Sequence, residues 1–104
     1  MAYHLIRLGR GPAWDANRAR REQAGWAEHA AYMDRLTEHG SVVLGGPVGD
    51  ADTDVVLGVN AFDQSAALAM LAGDPWLGTV LALKDVEPWT IWLRARDAEG
   101  ALAS

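Results

Sequence analysis

Ser41-Val42-Val43-Leu44-Gly45-Gly46-Pro47 and, a short loop later, Asp54-Val55-Val56-Leu57-Gly58-Val59-Asn60-Ala61 decide the fold of this chain. Each is a run of β-branched and aliphatic residues bounded by breakers, which is the pattern of a strand. The first strand covers Ser41–Gly45 and stops at Gly46-Pro47. Val48 to Thr53, rich in Gly and Asp, is the loop that joins it to the second. Two strands therefore follow one another directly in the middle of the chain.

Helical patterns lie on both sides of this pair. Upstream, Asp15 or Asn17 can cap a helix that runs to about Glu38, and Gly40 occupies the C′ position, where a left-handed residue is expected. Gly25 interrupts that helix. It either costs about 1 kcal/mol relative to Ala or marks where the helix really starts. Further upstream, Tyr3 to Leu8 reads as a strand that stops at Gly9-Arg10-Gly11-Pro12. Downstream, Asp63 caps a second helix through Leu68, Leu71 and Ala72, which Gly73 ends. Asp74-Pro75 then starts a short helical turn, with Asp74 as N-cap and Pro75 at the first position. Val80 to Leu83 leads to a last strand with Trp89, Ile91 and Leu93 on one face, and Pro88 suits its start, an edge or a bulge. The order is β-α-β-β-α-β. It predicts an α+β fold of the ferredoxin-like, split βαβ kind, an antiparallel sheet with both helices on one face.

Strands covered on one face only alternate apolar and polar residues. Val42-Val43-Leu44 and Val55-Val56-Leu57 are apolar on both faces. Something must cover the second face, and a second copy of the chain, packed sheet against sheet at about 10 Å, predicts a homodimer.

With 104 residues, 50% hydrophobic and 22% charged, the chain has the composition of one globular domain, assigned to residues 1–94 with a loose tail over 95–104. There is no cysteine, which excludes a disulfide scaffold and thiolate chemistry. A net charge of −5 argues against nucleic acid as a partner. The one basic cluster, Arg18, Arg20 and Arg21, reads as a solvated helix face. No signal peptide or membrane span is visible, so a cytoplasmic location and no membrane partner are the default expectations. Three histidines without close spacing make a poor metal site, so neither a metal nor an organic cofactor is expected.

Chemistry points to one histidine. In Trp26-Ala27-Glu28-His29-Ala30-Ala31-Tyr32-Met33-Asp34-Arg35-Leu36, at about 100° per residue, Trp26, Met33 and Leu36 share one arc and His29 falls between Met33 and Leu36. An imidazole there faces the core or a cavity and needs a partner for a ring nitrogen. Asp74, in Gly73-Asp74-Pro75-Trp76, is the candidate. The pair is a minimal apparatus for acid–base catalysis: the carboxylate fixes the tautomer and stabilises the imidazolium that forms. The alternatives are a core histidine for His29 and a plain N-cap for Asp74. Around the pair, Tyr32 and Trp76 are the candidate pocket walls, suited to a planar or cyclic ligand. Gly46 is a candidate backbone donor to a ligand, and Ser41 a candidate side-chain donor. Glu22, two turns before His29, reads as a solvated helix-start residue, and His4 and His39 as structural.

Trp26-Ala27-Glu28-His29-Ala30-Ala31-Tyr32-Met33, Gly40-Ser41-Val42-Val43-Leu44-Gly45-Gly46-Pro47 and Ala72-Gly73-Asp74-Pro75-Trp76 together resemble the YciI-like (YCII-related) family. The marks are a helical His with an aromatic residue three positions on, a strand ending Gly-Pro, and an Asp-Pro-aromatic turn. The resemblance spans Tyr3 to Leu93. It implies a ferredoxin-like chain that pairs into a dimeric α+β barrel, and a pocket whose His–Asp active site falls on His29 and Asp74. It also implies lyase or isomerase steps on small ring compounds, such as dehydrochlorination and lactone chemistry. The chain departs from shorter members in the longer segment 11–23 and in its five tryptophans, both of which reshape the pocket. The expectation is a small cofactor-free lyase or isomerase that uses the His29–Asp74 dyad on a small cyclic or enolisable substrate. The alternative is a non-catalytic small-molecule-binding or accessory module with the same pocket. A cofactor-independent oxygenase is a third reading, resting on fold analogy alone.

Overall fold

The structure is a computed structural model and describes residues 2–95. It is α+β. Strands β1 (Ala2–Arg10), β2 (Val42–Val48), β3 (Asp54–Ala61) and β4 (Leu81–Pro88) form one sheet, and helices α1 (Trp26–Glu38) and α2 (Gln64–Leu71) connect β1 to β2 and β3 to β4. The strand order is β2-β3-β1-β4 and every neighbouring pair is antiparallel. Element order and strand order are both compatible with a ferredoxin-like arrangement.

One face of the sheet carries the core. His4, Ile6 and Leu8 of β1 stand opposite Val59, Leu57 and Val55 of β3, and these side chains project toward the helices. Ala67 and Leu71 of α2 close over them, and Met33 and Leu36 of α1 pack at the margin. On the other face an ion cluster ties three strands together. Asp54 accepts from Arg7 of β1 at 2.8 Å and from Lys84 of β4 at 3.2 Å. The hydrogen bond from Arg7, then that from Lys84, holds the Asp54 carboxyl below its ordinary value.

Three expected boundaries are corrected. Helix α1 begins at Trp26, not near Asp15 or Asn17. Gly25 is its N-cap at φ +81°, a left-handed backbone that breaks any continuous helix from upstream. Asp15 instead accepts the Asn17 amide in a local turn. Strand β2 continues through Gly46-Pro47 to Val48. Pro47 is tolerated there because β2 is an edge strand. Strand β4 lies at Leu81–Pro88, before the alternating Trp89, Ile91 and Leu93. The Trp89 amide still donates to the Tyr3 carbonyl of β1 at 2.9 Å, and beyond it the segment lies against the face away from the helices, where the Trp89 ring covers Gly58. The chain thus covers part of its own second face. Of the expected tail, residues 96–104 lie outside the described residues.

Candidate active site around His29

A 13-residue helix is short enough for its ends to matter. At the C-terminus, Gly40 at φ +77° lets the Ser41 and Gly40 amides reach back to the Leu36 and Thr37 carbonyls at 2.9 and 3.0 Å. This is a Schellman stop at the predicted C′ position. At the N-terminus, segment 11–25 does the positioning. It runs beside β4, with the Gly11 and Ala13 amides bonded to the Val80 and Thr79 carbonyls at 2.8 Å. It then folds around the buried Gln23. The Gln23 amide accepts from the Asp15 N–H at 2.9 Å and donates to the Asp15 and Arg18 carbonyls at 2.8 and 2.9 Å. Every capacity of that amide but one lone pair is used, so the segment has a defined shape rather than a loose one.

The helix is therefore held with Trp26, His29, Met33 and Thr37 facing the edge strand β2. Between them lies an open cavity of about 460 Å³. Leu8, Val42, Val55, Leu57 and Leu81 give it an apolar floor. Gly45 and Gly46 keep its β2 side low. A Cβ on Gly45 would strike Leu57 Cδ2 at 2.6 Å, whereas one on Gly46 would meet nothing within 4 Å.

His29 sits in the wall of this cavity with 12% of its side chain exposed. Its Nδ1 lies 2.9 Å from both carboxylate oxygens of Asp74, whose side chain is 3% exposed. A carboxylate can only accept, so Nδ1 carries the proton and the lone pair of the neutral ring is on Nε2. Among the described residues no hydrogen bond engages Nε2. Asp74 is fixed in turn by the Trp76 amide, which donates to Oδ1 at 3.0 Å in the expected cap of the Asp-Pro turn. The Trp76 ring stacks on the imidazole, with centroids 4.1 Å apart and planes 7° from parallel. Its indole N–H donates to the Ala24 carbonyl at 2.8 Å, which locks the stack to segment 11–25. Trp26 leans on both rings, with centroids 5.8 Å from His29 and 5.6 Å from Trp76. The imidazole is thus held at three points: one nitrogen bonded, one face stacked, one edge packed.

The predicted residues divide into three groups. His29 and Gly46 line the cavity. Asp74 and Trp76 form the layer behind His29, and Trp76, at 1% exposure, supports the ring instead of forming a pocket wall. Tyr32 and Ser41 are placed elsewhere. The Tyr32 hydroxyl donates to the Met70 carbonyl and its ring fills the space where Gly73 lacks a side chain, so Tyr32 joins α1 to α2. The Ser41 backbone serves the helix stop and accepts from the Asn60 amide at 2.8 Å. Glu22 is exposed and its carboxylate accepts from the Ala19 amide.

Arg20 is the residue that sequence reasoning missed. Read as part of a solvated helix face, it stands on a single 3-10 turn, Arg20–Glu22, and lines the same cavity as His29. Its side chain is 12% exposed. Its burial comes from Trp14 and from Asp52 in the β2–β3 loop, too far along the chain for any local pattern to reveal. The interruption at Gly25 was the only hint that this stretch is not plain helix. Comparison with known proteins adds nothing to this geometry: no family model, no curated protein and no solved structure matches the chain.

Proposed function

We propose that the chain is a YciI-like lyase or isomerase, free of cofactor, that moves a proton on a small cyclic or enolisable substrate bound beside His29. One observation carries the reading: a histidine whose Nδ1 is bonded to a buried carboxylate while its ring lines a cavity. In the reaction, Nε2 takes a proton from a carbon next to a carbonyl, and the electron pair of that C–H bond passes into the carbonyl as an enolate. Asp74 accepts from Nδ1 throughout and offsets the imidazolium charge. An isomerase returns the same proton at another carbon of the conjugated system. In a lyase the enolate pair instead forms a double bond to the next carbon, and the leaving group on that carbon departs with the electrons of its own bond. In the same reading two chains pair through the sheet face away from the helices.

Deuterium exchange tests the proposal. A set of small lactones and cyclic ketones in D₂O is followed by proton NMR, with the His29 ring nitrogens observed in parallel. The wild type is expected to show a neutral Nδ1–H tautomer that Asp74→Asn disturbs, and to exchange the acidic proton of at least one compound. His29→Ala should slow that exchange by about 10²–10⁴-fold with the fold intact. An imidazole whose tautomer ignores Asp74→Asn removes the basis for catalysis. A fixed tautomer with ligand binding and no exchange, retained in His29→Gln, supports the binding module instead.

A further inference from the structure

The guanidinium of Arg20 is only half used. Its Nε and Nη2 donate to Asp52 Oδ1 at 3.2 and 2.9 Å, and Nη2 also reaches the Asp52 carbonyl at 3.2 Å. The Trp14 ring lies under it at 5.0 Å. These contacts fix one edge of the fork. The other nitrogen, Nη1, is buried and has no hydrogen-bond partner. A buried charged donor without a partner is costly, and native proteins rarely keep one. Asp52 adopts a left-handed backbone at φ +51°, uncommon outside glycine, in the loop that holds this arrangement.

The surroundings say what the free edge is for. Arg20 is the only cation among the described residues that line the cavity, and no aspartate or glutamate lines it. The floor is aliphatic, and the one other ionisable wall group is His29, whose free nitrogen is an acceptor. We propose that Arg20 is the substrate anchor, its guanidinium, which lines the cavity and has Nη1 still unpaired, donating to a carboxylate of a small organic acid whose acidic carbon faces His29. A carboxylate is favoured over a phosphate on charge. Asp52 already answers part of the single positive charge of Arg20, so the cavity can balance a monoanion but not a dianion. The substrate class is then a cyclic or enolisable compound bearing one carboxylate. Assigning the compound as a substrate rests on the proposed proton transfer at His29, but the anchor itself does not, because Arg20 binds an anion whether or not His29 moves a proton.

Benzoate and benzamide separate the two questions. They share ring and size and differ in charge. Both are titrated into the full chain while the Trp26 indole and His29 ring signals are followed by NMR. The wild type is expected to bind benzoate at least about tenfold more tightly than benzamide, the scale of one charge-assisted hydrogen bond. In Arg20→Gln the preference should vanish, in Arg20→Lys it should survive in part, and in His29→Gln it should persist. Equal binding of the two probes by the wild type overturns the anchor without any variant having to fold. So does a preference unchanged in Arg20→Gln, or no benzoate binding at millimolar concentration. Each of these leaves the His29 tautomer experiment standing. A free His29 tautomer with benzoate still preferred through Arg20 overturns the catalytic reading and leaves the anchor.

Discussion

Asp74 answers two buried donors with one carboxylate, the imidazole Nδ1–H and the Trp76 amide, and this sets what its replacement costs. Asp74→Ala strands both, at about 1–3 kcal/mol for each unsatisfied group. Asp74→Asn keeps an acceptor oxygen and brings an NH₂ that cannot accept, so it should destabilise much less. Urea unfolding of the two variants checks the order; equal stabilities would mean that the carboxylate is not shared as described. The same economy explains why this site was legible in the sequence. A polar residue in an apolar helical stripe must find a partner, and Asp before Pro after a helix-ending Gly announces a carboxylate held in one place. Tyr32 and Trp76 were misplaced because helical spacing gives the side of a helix but not the depth of the neighbour, and both side chains turn to the layer behind the cavity. Arg20 left no local trace, since its burial depends on Asp52, which reaches it only in the folded chain.

Elements were easiest to read where their ends are chemical. Asp63 caps α2 through the Ala66 amide at 2.8 Å, as its place before an apolar helix implied. Gly40 stops α1 for a reason that can be measured. A Cβ there would meet nothing within 4 Å, so Gly40→Ala creates no clash and its whole cost is the left-handed backbone at φ +77°. That cost is about 1–2 kcal/mol. Thermal or urea unfolding should show it, and Gly40→Asn, which tolerates this backbone better, should recover part of it. A neutral Gly40→Ala would mean that the stop is made elsewhere. Elements were hardest to read where polar side chains, not periodicity, set the path. Segment 11–25 has enough helix formers to pass for the start of α1, yet the Gln23 amide and the Gly25 backbone commit it to a turn. The alternation Trp89, Ile91, Leu93 has the period of a strand, but period alone does not say whether a segment pairs with a sheet or lies across it.

At the scale of the whole molecule, the apolar second face was visible in Val42-Val43-Leu44 and Val55-Val56-Leu57, and the structure divides it unequally. At the end of the sheet where β3 starts it carries the Arg7–Asp54–Lys84 ion cluster, which spans β1, β3 and β4. At the opposite end, where β1 starts, Tyr3, Leu44, Gly58, Trp89 and Ile91 surround a largely apolar cleft, with the Arg94 guanidinium over the Tyr3 ring at 4.8 Å. The chain's own segment covers this half incompletely: Leu44 remains 64% exposed, Trp92 86% and Leu93 91%. Isolated exposed apolar residues are ordinary, but a group of this size beside a cleft is the kind of surface that a partner covers. The proposed dimer places a second copy on this half, with the ion cluster left toward the rim, where charge is tolerated at an interface. Sedimentation at micromolar concentration should then give twice the 11.2 kDa of one chain. Leu93→Asp sets a charge in the apolar half at a position that contributes little to the fold of one chain. It should shift the equilibrium to monomer with an unchanged circular dichroism spectrum, and the His29 tautomer should survive, since every partner of that ring belongs to the same chain. A wild type that sediments as a monomer ends the dimer proposal and leaves segment 89–95 as the only cover of this face among the described residues.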